Sequence, residues 1–185
     1  VDCILAIKHG NGRDWLLLVR PSPVGQPVNN NTWLSFLINP SGITVMPPRN
    51  LGSLNNSNSG KLSITRFGDK ICFSNLSGLV ELFDFNRCTG DLSNPVMLEP
   101  QLSIGPYPYY WSSEFSSSGR YLYVSSTTQT VSKLWQYDTW SPNIFATKTL
   151  IWQTPGPPFT AGALKRGPDD KIYFSCAWVP PNGSN

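Results

Sequence analysis

Gly68-Asp69-Lys70-Ile71-Cys72-Phe73-Ser74, Gly119-Arg120-Tyr121-Leu122-Tyr123-Val124-Ser125 and Asp169-Asp170-Lys171-Ile172-Tyr173-Phe174-Ser175 are three copies of one pattern, a polar turn running into a β-rich strand. With Ile71, Leu122 and Ile172 as equivalents, the copies recur about every fifty residues, a period that belongs to propellers and repeat arrays. A second strand strengthens the repeat. Val80-Glu81-Leu82-Phe83-Asp84-Phe85-Asn86 aligns with Ser132-Lys133-Leu134-Trp135-Gln136-Tyr137-Asp138, so that Phe83 meets Trp135, Phe85 meets Tyr137 and Asn86 meets Asp138. The N-terminal stretch reads as a diverged copy, with strands at Trp15-Leu16-Leu17-Leu18-Val19 and Trp33-Leu34-Ser35-Phe36-Leu37-Ile38 and a turn at Asn39-Pro40-Ser41-Gly42.

Local chemistry makes these runs strands. They are four to eight residues long, rich in β-branched and aromatic side chains, and bounded by Gly, Pro, Asn, Asp and Ser. Turns are signalled at Pro40-Ser41-Gly42, Thr89-Gly90-Asp91, Ser118-Gly119 and Gly167-Pro168-Asp169-Asp170, where Gly or Asp accepts unusual dihedrals and Pro pre-sets one. With 17 Pro and 15 Gly along the chain, no dozen-residue window keeps a helical apolar stripe. The predicted fold is all-β: about four blades of a β-propeller, seven-bladed when complete, with approximate repeats at 1–52, 53–103, 104–155 and an incomplete 156–185. The chain reads as a piece of a ring. Either the rest of the ring lies outside these residues or another chain completes it, because an open arc would leave edges unpaired.

Composition narrows the function classes. At 185 residues, with 39% hydrophobic and 12% aromatic residues, the chain has the makings of a packed core. Only 14% of residues are charged, against roughly 25% in ordinary soluble domains; Ser, Thr and Asn supply the polar surface instead. A net charge of +3, spread thinly, leaves no nucleic-acid or membrane-surface footprint. No apolar run reaches the roughly 18 residues of a spanning helix.

Gly10-Asn11-Gly12-Arg13-Asp14-Trp15, the stretch Leu82-Phe83-Asp84-Phe85-Asn86-Arg87-Cys88-Thr89-Gly90-Asp91-Leu92-Ser93-Asn94-Pro95, and Glu114-Phe115-Ser116-Ser117-Ser118-Gly119-Arg120-Tyr121-Leu122-Tyr123-Val124-Ser125 resemble large secreted multidomain proteins of Bacteroidota. Leu134-Trp135-Gln136-Tyr137-Asp138 and Gly162 to Tyr173 continue the match in order, so it spans almost the whole chain. In that family an N-terminal seven-bladed propeller precedes further modules and a C-terminal type IX secretion sorting or gliding-motility-associated domain. The resemblance implies export across the outer membrane and an extracellular or cell-surface location. One departure is Arg66-Phe67-Gly68-Asp69, where the family more often shows a Ser-Pro-Asp-Gly-like turn.

Chemistry-bearing residues are sparse. Of four cysteines, Cys3, Cys72, Cys88 and Cys176, none shows CxxC spacing, and His9 is the single histidine, so a structural zinc site is disfavoured. Cys72 and Cys176 read as small buried hydrophobes on strands. Cys3 and Cys88 are the candidate disulfide cysteines for an exported protein; a hairpin of Lys70 to Asn75 with Val80 to Asn86 would set Cys72 roughly opposite Phe83, which argues against a Cys72–Cys88 bond. His9 beside Lys8 and Gly10 has no nucleophile elbow to serve. The acids fall at turns and strand ends, where Asp caps the backbone. Calcium at Asp169-Asp170 is the one conceivable ion site, although further oxygen ligands are missing nearby; no other cofactor is expected.

Pro106-Tyr107-Pro108-Tyr109-Tyr110-Trp111 lies between two repeats, and Tyr107, Tyr109, Tyr110 and Trp111 are the candidate partner-binding aromatics for a surface protein or a glycan. Trp111, Trp135 and Tyr137 also fit blade-to-blade packing, and Pro155-Gly156-Pro157-Pro158-Phe159 fits a stiff crossing between blades. The expectation is a non-catalytic binding or scaffolding propeller serving adhesion, surface motility or extracellular assembly. The rival is a lactonase-like propeller hydrolase with a metal in its central channel. That rival calls for acids or histidines at equivalent strand starts, where this segment carries Ser, Thr and Ile; its metal site would lie outside or only partly within these residues.

Overall fold

The computed structural model describes residues 3–21, 30–57, 59–101, 108–128, 131–154 and 159–178. Strands dominate it. The first antiparallel sheet runs in the order β1 (Ile4–Lys8), β2 (Trp15–Val19), β3 (Asn30–Asn39) and β4 (Gly42–Val45), with β5 (Arg49–Asn55) on the far half of β3. β4 and β5 share one edge because Pro47-Pro48 between them supply no N–H and fix φ, which interrupts the ladder. The second sheet is β6 (Gly60–Ile64), β7 (Lys70–Asn75), β8 (Val80–Asn86) and β9 (Asp91–Glu99); the third is β10 (Tyr109–Phe115), β11 (Tyr121–Thr127), β12 (Ser132–Asp138) and β13 (Thr149–Gln153). β14 (Phe159–Arg166) and β15 (Ile172–Trp178) form a two-stranded sheet. A single 3-10 turn at Phe145–Thr147 is the sole helical element among the described residues.

The sheets stack in sequence, each first strand beside the first strand of the next: β1 against β6, β6 against β10, β10 against β14. Hydrogen bonds join these inner strands one residue out of repeat register. Ser63 and Ser113 share a hydroxyl–hydroxyl bond of 2.8 Å, the Leu164 N–H donates to Ser112 Oγ at 3.1 Å, and the Arg166 N–H donates to Glu114 Oε2 at 3.2 Å. Successive inner strands are thus clasped by polar bonds between residues 50 to 52 apart in sequence.

Both faces of the second sheet are buried, and the period-2 alternation of strand side chains sorts its residues. Ile71, Phe73, Phe83 and Phe85 face the first sheet, packing with Ile7, Leu16, Leu18 and Trp33. Cys72, Val80, Leu82 and Leu98 face the third, packing with Tyr110, Phe115, Leu122, Val124 and Tyr137. Trp33 meets Phe83 and Phe73 edge-on at 5.1 and 6.1 Å between centroids, the arrangement that ring quadrupoles favour. The β7–β8 register pairs Cys72 with Leu82 and Ile71 with Phe83. This corrects the expected facing of Cys72 and Phe83 by one residue, and a one-residue slip exchanges the two faces of a strand.

Three tight turns link the first and second strands of sheets two to four. Gly68, Gly119 and Asp170 hold the left-handed conformation, at φ of 71°, 73° and 60°, and each N–H donates to the residue three back: Thr65, Ser116 and Gly167. The third turn re-enters its strand one residue sooner, at Lys171, so Asp170 rather than Asp169 is equivalent to the two glycines.

Candidate ligand-binding channel

The starts of β6 and β10 enclose a cavity of about 300 Å³, lined by Ser59, Gly60, Lys61, Leu76, Tyr110 and Trp111. A smaller cavity of about 120 Å³ lies alongside, touched by Lys61, Ser63, Ser113, Glu114, Lys165 and Arg166 among others. Lys61 belongs to both. Along the inner strands β1, β6, β10 and β14 the charged residues are Lys8, Lys61, Lys165 and Arg166 against one carboxylate, Glu114. Glu114 is buried and accepts the Phe115 and Arg166 N–H groups, at 3.2 Å each. Among the described residues Lys61 and Lys165 have no ion-pair partner, so this surface is cationic.

A bulge sets the aromatic wall. The β10–β11 register shifts between Tyr110 and Ser112, leaving Trp111 as the extra residue, and such bulges re-aim side chains. Tyr110 and Ser112 are buried, whereas Trp111 is 48% exposed. Its indole reaches toward β14, where a Cβ on Gly162 would lie 3.7 Å from Trp111 Nε1 and 2.7 Å from Ser175 Oγ. The bare glycine makes room for Ser175 Oγ, while the indole would stay at ordinary contact distance.

The other candidate aromatics separate by role. Tyr110 turns into the interface between the second and third sheets, where Lys148 Nζ donates to its hydroxyl at 3.5 Å and to Glu99 at 2.5 Å, while Tyr137 donates to Glu99 at 2.6 Å. Burial, with the Glu99 carboxylate adding to it, pushes the Tyr110 and Tyr137 phenols well above their ordinary range. Tyr109 is half-buried at the start of β10; Tyr107 and Pro155–Pro158 lie outside the described residues. Trp135 donates its indole N–H to Ser126 at 2.9 Å and packs against the core.

Cys3 is buried at one end of β1, while Cys88 is exposed at the other, with its sulfur against Gly10. Cys72 and Cys88 are not bonded to each other. Burial pushes the Cys72 thiol up to about 12, against a hydrogen bond with Ser113 that pulls it down. His9 ties turns together, its Nε2 lying 3.0 Å from the Cys88 carbonyl. Asp169 is occupied by the Lys171 N–H and the Tyr173 hydroxyl, and Asp170 pairs with Arg66 at 3.2 Å. Among the described residues no three His, Cys, Asp or Glu side chains gather. Among the described residues of the inner strands Glu114 is the one carboxylate, whereas a divalent metal asks for several oxygen ligands.

Lys61, Lys165, Arg166 and Glu114 were not distinguishable as site residues in the sequence. Their meaning depends on which strand of each sheet lies innermost, and a run such as Ala163-Leu164-Lys165-Arg166 carries no mark of that.

Comparison with known proteins bears on the fold. No family model and no curated protein matches the sequence. Solved structures do. A protein from Bacteroides fragilis provisionally named a 6-phosphogluconolactonase superposes with a TM-score of 0.57 at 16% identity, covering 94% of this chain and 47% of its own. A counterpart from Bacteroides uniformis gives 0.56 at 16%, with the same coverage. The Cps50 (Swd1) β-propeller domain of Myceliophteria thermophila gives 0.50 at 12%, covering 86% and 42%. The chain is thus all-β with the propeller arrangement, its sheets are blades, and it spans about half the length of the structures it matches.

Proposed function

We propose that the chain belongs to a non-catalytic binding or scaffolding propeller of a secreted or surface-displayed bacterial protein, engaging a surface protein or a glycan in adhesion, surface motility or extracellular assembly. The observation that carries the reading is the channel lining: cations around a single backbone-bound carboxylate, beside an exposed tryptophan. General acid–base hydrolysis needs two titratable groups positioned about one bond, and metal-assisted hydrolysis needs a ligand set. Glu114, already accepting two N–H groups, supplies neither. The weakly charged composition and the resemblance to exported Bacteroidota proteins support the location.

The names of two structural neighbours favour a second reading, a lactonase-like hydrolase. The two separate experimentally. Purified protein is assayed for lactone hydrolysis with and without added calcium or magnesium, and in parallel for saturable binding on a glycan panel and in a surface-protein pull-down. Saturable binding without turnover is the expected result; metal-dependent turnover that Glu114→Gln abolishes overturns it.

A further inference from the structure

The mouth between the second and third blades combines three features that single out one ligand chemistry. Trp111 is held half-exposed by a bulge whose flanking residues are buried, its indole nitrogen near Gly162 of β14 and the rest of the ring displayed. Lys61 lines the same cavity with no ion-pair partner among the described residues. Among the described residues Ser59 and Leu76 add a hydroxyl-bearing and an apolar side chain to the wall, beside Gly60 and Tyr110.

From this juxtaposition we propose that the cavity binds an acidic sugar, a uronic acid ring stacking on Trp111 with its carboxylate on Lys61. This deepens the binding reading above and rests on it. A pyranose presents an apolar C–H face to an indole and hydroxyls around its rim, which matches one aromatic wall with polar edges. A compact ammonium suits a single carboxylate as a point charge. Lys165 and Arg166 in the adjoining cavity extend the positive field toward a second acidic unit. A volume of about 300 Å³ sits at the low end for ligand pockets, and fits a sugar-sized group rather than a folded partner. Glu114 lines the adjoining cavity as well, its oxygens held by backbone N–H groups, and its charge offsets one of the three cations there.

The test is calorimetric titration with tri-galacturonate and with its methyl ester, which keeps the rings and removes the charge, while Trp fluorescence is followed. The acid is expected to bind at least tenfold tighter than the ester, with the preference shrinking as salt rises. Trp111→Ala should weaken binding of the acid at least tenfold and Trp111→Phe less; Lys61→Gln should reduce the acid–ester preference to what Lys165 and Arg166 sustain, and Lys61→Arg should keep it in full. Equal affinity for acid and ester, indifference to Trp111→Ala, or no binding of the acid overturns the proposal. If the acid fails while another glycan or a surface protein binds saturably, this inference falls and the binding reading stands. Lactone turnover in the parallel assay removes the binding reading itself.

Discussion

Arg20 and Glu81, from neighbouring blades, face each other at 3.7 Å between Nη1 and Oε2 with both side chains out of water. The guanidinium lies between the Trp33 and Phe73 rings, 4.7 and 4.3 Å from their centroids, and the Glu81 oxygens also accept the Ser53 N–H and hydroxyl. Burial pushes the Arg20 guanidinium down to about 10 despite the pull of Glu81. Removing one partner strands the other charge, which costs about 3–5 kcal/mol. Arg20→Met should therefore destabilise by that order in urea unfolding. Arg20→Met/Glu81→Gln should be more stable than Arg20→Met alone, because the amide still accepts from Ser53 without a buried charge. A double variant less stable than the single one contradicts this.

The repeat turn makes a prediction across blades. Gly119 sits at φ 73°, where an L side chain costs about 1–2 kcal/mol and Asn or Asp less. A Cβ there meets Thr65 Cγ2 at 3.4 Å, Thr65 Cβ at 3.7 Å and Phe67 Cδ2 at 3.8 Å, all ordinary contacts, so the backbone dominates the cost. Gly119→Ala should lose about 1–2 kcal/mol by urea denaturation and Gly119→Asp clearly less, since the fourth blade already carries Asp170 at the equivalent place. Equal losses would contradict that equivalence.

The sequence made the strands and turns legible because both are local. Ile71-Cys72-Phe73 is recognisable as a strand from its side chains alone, and Gly119 as a turn residue from its missing Cβ. Facing was less legible: both sides of β7 are buried, so no polar residue marks the register, and Cys72 was expected opposite Phe83 instead of Leu82. The third turn is shorter by one residue, which the aligned Ile172 conceals. For the site, the aromatic run around Trp111 was visible as a cluster, but which ring is displayed depends on the bulge after Tyr110, a backbone irregularity without a Gly or Pro to announce it. Lys61 stayed hidden among surface-like lysines because the rings that share its cavity, Tyr110 and Trp111, come from another blade.

Glu99 joins the second and third blades by accepting from Tyr137 and Lys148. A hydrogen bond to a charged group contributes about 1.5–3 kcal/mol. Tyr137→Phe keeps the ring in the core and deletes one such bond, so a loss in that range is expected in urea denaturation. Lys148→Met in the same series removes the charge partner of a largely buried carboxylate and should cost at least as much. A Tyr137→Phe effect below about 0.5 kcal/mol would show that the hydroxyl contact is incidental.

Cys72 gives the blade interface a pH dependence whose sign is fixed. Its thiol titrates near 9 when solvated and is pushed up to about 12 by burial. Above pH 9 the unfolded chain loses this proton while the folded one keeps it, so stability present below pH 9 is lost as pH rises toward 12, at up to about 1.4 kcal/mol per pH unit. Tyr110 and Tyr137, also raised, act in the same direction above pH 10. Arg20, lowered to about 10, acts oppositely there, because the unfolded chain then holds the extra proton. The interval from pH 9 to 10 consequently reports chiefly on Cys72. Urea midpoints across it should fall for the parent protein and stay nearly flat for Cys72→Ala, which itself starts lower because of the lost packing. In the same samples the exposed Cys88 should react with a maleimide at native pH, while Cys72 reacts only as the blades separate. An unchanged pH slope in Cys72→Ala, or rapid labelling of Cys72 in the folded protein, would show that the thiol is not sealed between blades as the register of β7 requires.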